Sequence, residues 1–308
     1  MLFYILKRLS QSVIVMFGVT LIVFAMLFVS GDPVSLLLPL DASEADRIAM
    51  RHAMGFDDPF IMQYGRFLVN AVQGDLGISL RHQVPALDLI KQMLPNSIIL
   101  VGPAMLIAIF VAVPAGMIAA IKRNSIFDTA VTVMVLIGQA MPVYWLGLIL
   151  ILIFSVNLGI FPTGGIGGLN HLVLPAVTLG AFSMSRIARL TRSGLLEVLG
   201  QDYIRTAKSL GLRGIQVVTK YALKNTAIPL VTLIGMEFGT LLGGAIVTES
   251  IFSWPGLGRL VVNAINDRDY ALVQAIVTVL SIIFVFINLV VDIIYTWLDP
   301  RVRLIRKG

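Results

Sequence analysis

The chain has 308 residues, of which 57% are hydrophobic and 13% charged, with a mean hydropathy of +0.92. Soluble domains carry roughly a quarter charged residues, so the composition excludes an ordinary water-soluble enzyme and makes lipid the solvent. The formal net charge is +6, but the basic residues lie between apolar segments instead of forming one stripe, which favours membrane topology over nucleic acid. With no cysteine, disulfides, thiolate metal sites and cysteine nucleophiles are excluded.

Lys7 and Arg8 precede an uncharged run from Leu9 to Gly31 that ends without a small-x-small cleavage site. It is predicted to stay as a first transmembrane helix, about Ser10–Val29, within residues 1–30. Gly31-Asp32-Pro33 is expected to stop it. Residues 31–96 are polar and mixed in charge, with turn signals at Asp57-Asp58-Pro59, Gly74-Asp75-Leu76-Gly77 and Val84-Pro85, and read as an extramembranous segment of short helices.

A core of five further spans is predicted over residues 97–298. Span two is about Ser97–Ile121, with Pro103 and Pro114 tolerable where neighbouring helices satisfy the freed backbone groups. Lys122-Arg123-Asn124 forms a basic turn. No residue between Asp128 and Arg186 is charged, too long a stretch for one span, and the glycine-rich Gly159–Gly168 divides it into span three (about Thr129–Asn157) and span four (about His171–Leu190). A basic polar loop, 191–225, follows. Span five is about Thr226–Thr248, a second outer loop runs Glu249–Tyr270, span six is about Leu272–Trp297, and 299–308 is a basic tail.

Six spans place both termini on one side. Lys and Arg number two before span one, two at Lys122-Arg123, eight from Arg186 to Lys224 and four in the tail, leaving seven of 23 for the opposite side. The positive-inside bias therefore predicts cytoplasmic termini and a cytoplasmic polar loop.

That loop is the main functional candidate. Asp202 is placed to cap a helix through Tyr203–Leu210, Gly211 to end it, and a second helix to run through Ile215–Leu223. Two short helices around a glycine form a knob suited to a groove on another protein, with apolar contacts from Tyr203, Ile204, Ala207 and Leu210. An ordinary basic interfacial hairpin fits the same residues.

The stretch Asp202-Tyr203-Ile204-Arg205-Thr206-Ala207-Lys208-Ser209-Leu210-Gly211-Leu212 resembles the cytoplasmic "EAA" loop of membrane subunits of bacterial ABC importers, in the oligopeptide/dipeptide/nickel branch. Arg205-Thr206-Ala207 stands where the wider pattern has Glu-Ala-Ala, and Pro229 lies later than that pattern places it. The resemblance extends to Gly31-Asp32-Pro33, Gly74-Asp75-Leu76-Gly77-Ile78-Ser79, Phe252-Ser253-Trp254-Pro255-Gly256-Leu257-Gly258-Arg259, Arg268-Asp269-Tyr270 and Asp299-Pro300-Arg301-Val302-Arg303. It implies an all-α polytopic protein of six transmembrane helices with the type I importer (MetI-like) permease fold, a periplasmic segment after helix one, and a bacterial inner-membrane location. It implies as partners a similar second permease subunit, two ATP-binding subunits and a periplasmic or lipid-anchored substrate-binding protein. Residues Tyr203 to Lys208, Leu210 and Gly211 then form the contact with the ATPase.

No Gly-x-x-x-x-Gly-Lys-Ser/Thr run is present. The chain is therefore expected to bind no cofactor itself, with ATP and Mg held by the partner subunits, and to act as a translocator instead of an enzyme. Peptides are the cargo the branch implies first; nickel, glutathione or another small solute are alternatives. An ion-driven secondary carrier, whose sites use broken helices and internal repeats, and a non-transporting scaffold are the rivals from other classes.

Gly235, Gly239 and Gly243 recur at four-residue spacing in span five and line one face, either for packing within the subunit or for a moving contact beside the path. Glu237 fits a water-filled path or a buried structural bond. Glu249 reads as a boundary residue, and Trp254, Pro255 and Gly256 as an outer-mouth anchor or a gating lip. Arg186, Arg189 and Arg192 read as topology and headgroup anchors, with contact to the ATPase as the alternative. Asp292 reads as structural, and His52, His82 and His171 lack the spacing of a metal site.

Overall fold

The computed structural model describes residues 2–30, 43–53 and 55–298. The expected helix stop at Gly31-Asp32-Pro33 and the tail 299–308, with its Asp299-Pro300-Arg301-Val302-Arg303 motif, lie outside the described residues.

The described chain is helical. In order, α1 is Leu2–Ser30, α2 Glu44–Ala53, α3 Phe60–Val72, α4 Ala86–Ile121, α5 Ile126–Ala140 and α6 Val143–Asn157, the last half of which winds as a π-helix. There follow α7 Leu169–Leu199, α8 Asp202–Ser209, α9 Gly214–Ile251, α10 Leu257–Asn266 and α11 Tyr270–Leu298. Five of the rods are long and apolar enough to cross a membrane, and a sixth span results if α5 and α6 are counted together.

Three boundaries and the course of span three depart from the sequence expectation. The helix of span two begins at Ala86, well before Ser97, because solvated Asp88 and Lys91 occupy its first turns and helix geometry does not stop at the membrane surface. Span four continues to Leu199. Span five begins at Gly214: a three-residue α-turn, a π-helical stretch Val217–Ala222 and the α-helix from Leu223 run on as one rod, so the second helix expected in the loop is the foot of the span. Span three is not one straight helix. It bends by 110° between Ala140 and Val143, where Pro142 has no amide hydrogen to continue the α5 ladder.

Contacts divide the chain into two compact units, Ser97–Pro255 with the chain from Phe286, and Leu2–Asn96 with Gly256–Val285. In the first, α7 is the central rod, packed against α5, α6 and α9. It buries a largely small and polar stripe that includes Ala176, Gly180, Ser183, Ser185, Ala188 and Thr191. Small residues let helices approach closely where lipid supplies no hydrophobic drive. A Cβ at Gly116 would lie 2.6 Å from the Ala188 carbonyl oxygen, and one at Gly180 would lie 2.6 Å from that of Ala104. Both glycines therefore hold α4 against α7.

In the second unit, α3 packs on α1 through aromatic rings: Phe24 lies 5.3 Å from Phe60 and 5.5 Å from Tyr64, centroid to centroid. The Tyr64 hydroxyl donates to the Phe17 carbonyl at 3.0 Å. After α3 the chain turns through Gly74 and Gly77, both with positive φ, to a single bridge between Ile78 and Pro85. Here two motifs 190 positions apart meet. The Ser79 hydroxyl donates to Asp269 Oδ2 at 2.5 Å, and the other Asp269 oxygen accepts from the Leu272 amide at the start of α11. Both side chains are buried.

Candidate functional site

The hairpin between α7 and α9 is built on the first unit. Gly200 follows α7, α8 makes about two turns, and Gly211, at φ +78°, reverses the chain before α9. Asp202 is the first residue of α8 and not its cap: its carboxylate sits 3.3 Å from Arg205 on the exposed side. Beneath α8, Ile204 and Ala207 join Ala120, Leu195, Val217, Val218 and Ala222 in one apolar cluster.

Two of the eight expected contact residues are covered by the chain itself. Ile204 is fully buried and Ala207 nearly so, so these two fasten α8 to its own subunit. Tyr203, Arg205 and Thr206 are exposed on α8, Leu210 is exposed at its end, and Gly211 follows. Leu210 is 77% exposed. Tyr203 is also tied back: its hydroxyl accepts from the Asn225 side-chain amide at 2.6 Å. The result is a rigid knob with an apolar underside locked to α9 and a mixed polar, apolar and basic outer side.

Above the hairpin, α7 carries three arginines with different partners. Arg192 makes a two-pronged pair with Asp128 at the start of α5, Nε at 2.6 Å and Nη2 at 2.9 Å. Asp128 also accepts from the Asn124 amide, and Ser125 caps α5 by accepting from the Asp128 amide. Arg186 pairs with Glu237 of α9 at 2.7 Å, and the Ser183 hydroxyl donates to the other Glu237 oxygen, also at 2.7 Å. Arg189 reaches the Gln139 side-chain oxygen at 3.4 Å. Two of the three are thus intramolecular ion pairs and not free headgroup anchors.

Glu237 is 1% exposed, and Arg186 supplies the compensating charge that a buried carboxylate needs. The glycine row in α9 is not uniform either. A Cβ at Gly235 would collide with the Val291 side chain of α11, whereas one at Gly243 would meet nothing within 4 Å; Gly239 is buried. The Gly235 end of the row is a close helix contact, and the Gly243 end is open.

Of the outer-mouth candidates, Glu249, Trp254 and Gly256 are buried and Pro255 is half-buried. Glu249 is fully buried and accepts from the Ser97 hydroxyl at 2.6 Å. Trp254 is 2% exposed and Phe252 fully buried. The Phe252 carbonyl accepts from the Gly165 amide at 2.7 Å, joining the glycine-rich turn after α6 to the end of α9. Pro255 and Gly256 complete the turn before α10.

His171 contacts the Gly164 carbonyl through Nδ1 at 3.0 Å, exposed His52 lies 3.6 Å from Asp57, and His82 lines a polar cleft of about 400 Å³ with Arg81, Asn263 and Asp267. The three serve separate local roles. The pairs Arg186–Glu237 and Arg192–Asp128, and the break at Pro142, were not expected from sequence. Pro142 inside an uncharged run was the available signal for the break; partners 51 and 64 positions apart leave no local signal.

Long apolar rods, helix contacts through small residues and a rigid hairpin carried beyond the spans define a polytopic helical membrane protein built to work with other chains. Residues 112–304 match the family described as binding-protein-dependent transport system inner membrane component, and residues 1–101 match its N-terminal membrane-component family. The chain belongs to this family: it is a multi-pass inner-membrane permease subunit of an ABC importer, with the all-α importer permease fold. It is 38% identical to the oligopeptide transport system permease protein AppB of Bacillus subtilis, over 97% of this chain and 99% of that one. It is 37% identical to the dipeptide transport system permease protein DppB of Escherichia coli K12 (98% and 99% covered) and 40% identical to the glutathione transport system permease protein GsiC of E. coli O6:H1 (98% and 99%). Among solved structures, the fold matches a chain of the inward-facing MetNI methionine ABC transporter with a TM-score of 0.60 at 19% identity, covering 68% of this chain and 96% of that one.

Proposed function

We propose that this subunit forms half of a translocation path for di- and oligopeptides across the inner membrane, driven by ATP hydrolysis in separate subunits. The observation that carries the substrate class is the near full-length similarity, at 37–38% identity, to permeases named for oligopeptides and dipeptides. The hairpin supplies the coupling. ATP closes the nucleotide-binding dimer, the exposed side of α8 follows its groove, and the Ile204 and Ala207 anchor passes that motion to α7 and α9. A second permease subunit, two ATP-binding subunits and a periplasmic or lipid-anchored binding protein complete the machine. The excess of Lys and Arg on one side supports cytoplasmic termini and a cytoplasmic hairpin.

Glutathione, itself a tripeptide, is the second reading, favoured by the 40% identity to a glutathione permease. The test is uptake in vesicles holding the whole complex and its binding protein. Peptide accumulation is expected to need ATP on the hairpin side and to persist when the proton gradient is collapsed. Accumulation that tracks the gradient and ignores ATP would establish an ion-driven carrier instead, and selective uptake of glutathione or nickel would reassign the cargo.

A further inference from the structure

The three α7 arginines differ in charge balance. Arg192 is matched by Asp128 and Arg186 by Glu237, but among the described residues Arg189 has no carboxylate partner, only the weak contact to Gln139. Arg189 is exposed, and so is Phe182 on the same helical face, while Arg186 keeps 36% of its side chain open between them. Positions 182, 186 and 189 share one stripe.

Depth decides what this stripe faces. Gln139 lies 13 residues along α5 from Ile126, which follows the Lys122-Arg123 turn. At 1.5 Å per residue that places it up to about 20 Å from the basic end, against a hydrocarbon core about 30 Å thick. Side chains on a helix lean toward its N-terminus, and the Arg189 guanidinium follows that lean up toward Gln139. It thus points away from the headgroups flanking the hairpin end. Gln139 is the last residue but one of α5, just before the 110° break. An unmatched cation at such depth faces water or protein, not acyl chains.

We infer that Arg189, with Gln139 beside it and the Glu237-clamped Arg186 one turn away, recognises the terminal carboxylate of the peptide in transit. Arg presents planar paired donors suited to a carboxylate, and Glu237 holds Arg186 while 36% of the Arg186 side chain stays exposed. Phe182 gives the apolar wall beside it, with the Arg186 guanidinium carbon 5.7 Å from its ring. This inference rests on the peptide reading above.

The experiment uses the complete reconstituted complex with peptide-loaded binding protein, so that binding-protein selectivity is constant across permease variants. The readout is peptide moved per ATP hydrolysed. Arg189→Gln is expected to lower it on the order of tenfold for a peptide with a free C-terminal carboxylate, Arg189→Lys is expected to restore most of it, and the C-terminally amidated peptide is expected to move equally in wild type and Arg189→Gln. Wild-type-like transport by Arg189→Gln overturns the inference, and so does equal loss for free and amidated peptides, which marks a contact with the partner permease. A loss in wild type on removing anionic lipid that matches Arg189→Gln overturns it in favour of a phosphate. Failure of the wild-type complex to move any peptide removes the peptide reading itself.

Discussion

Asp128→Asn tests how the hairpin is held to the spans. The wild-type carboxylate is 5% exposed, meets Arg192 at 2.6 and 2.9 Å and takes the Asn124 amide at 3.0 Å. Removing one partner of a fully buried pair costs about 3–5 kcal/mol. Arg192, however, keeps 31% of its side chain exposed and regains water once its partner is neutral. Asn also preserves an acceptor for the Asn124 amide. The expected loss is therefore about 2 kcal/mol, roughly a 30-fold change in the equilibrium between docked and undocked α5. The assay is thermal unfolding of the purified complex in detergent, run as a double-mutant cycle with Arg192→Gln. A coupling energy of about 1.5 kcal/mol or more is expected. Losses that simply add would show that the pair only decorates a contact made by other residues.

Ile204→Ala is expected to destabilise the subunit by about 2–4 kcal/mol, while Leu210→Ala stays within about 0.5 kcal/mol; thermal unfolding of both variants checks the division of α8 into anchored and free sides. Gly235→Ala drives a methyl into Val291 and should cost about 1–3 kcal/mol, whereas Gly243→Ala, in open space, should be neutral or stabilising by up to about 1 kcal/mol. Equal effects in the same melting assay would refute the distinction drawn from the helix contacts. Ser79→Ala removes the hydroxyl from buried Asp269 and is expected to cost about 1–3 kcal/mol, measurable by hydrogen exchange at the start of α11.

Much of this molecule is written in its apolar periodicity. Charged residues delimit the spans because lipid penalises them, so the count and order of rods were legible, as was the hairpin, where Gly211 needs a positive φ. Three kinds of feature were not. Ala86–Asn96 extends α4 beyond its apolar window, since hydropathy reports the solvent and not the helix. Ile204 and Ala207 were legible as one apolar face of α8, but periodicity does not say whether that face meets its own subunit or another. Glu249 and Trp254 looked exposed at an interface, and Glu237 stood between a path and a buried bond, because the partners of the two carboxylates, Ser97 and Arg186, are remote in sequence and only folding brings them together.

The outer side of α8 is the surface proposed to be worked by an ATPase. The natural absence of cysteine makes a single Leu210→Cys variant a clean probe. In assembled complexes it is expected to cross-link to a nucleotide-binding subunit in an ATP-dependent manner, and to resist a membrane-impermeant maleimide added outside intact cells. Labelling from outside, or a Leu210→Cys variant that cross-links to no other chain in any nucleotide state, would contradict it.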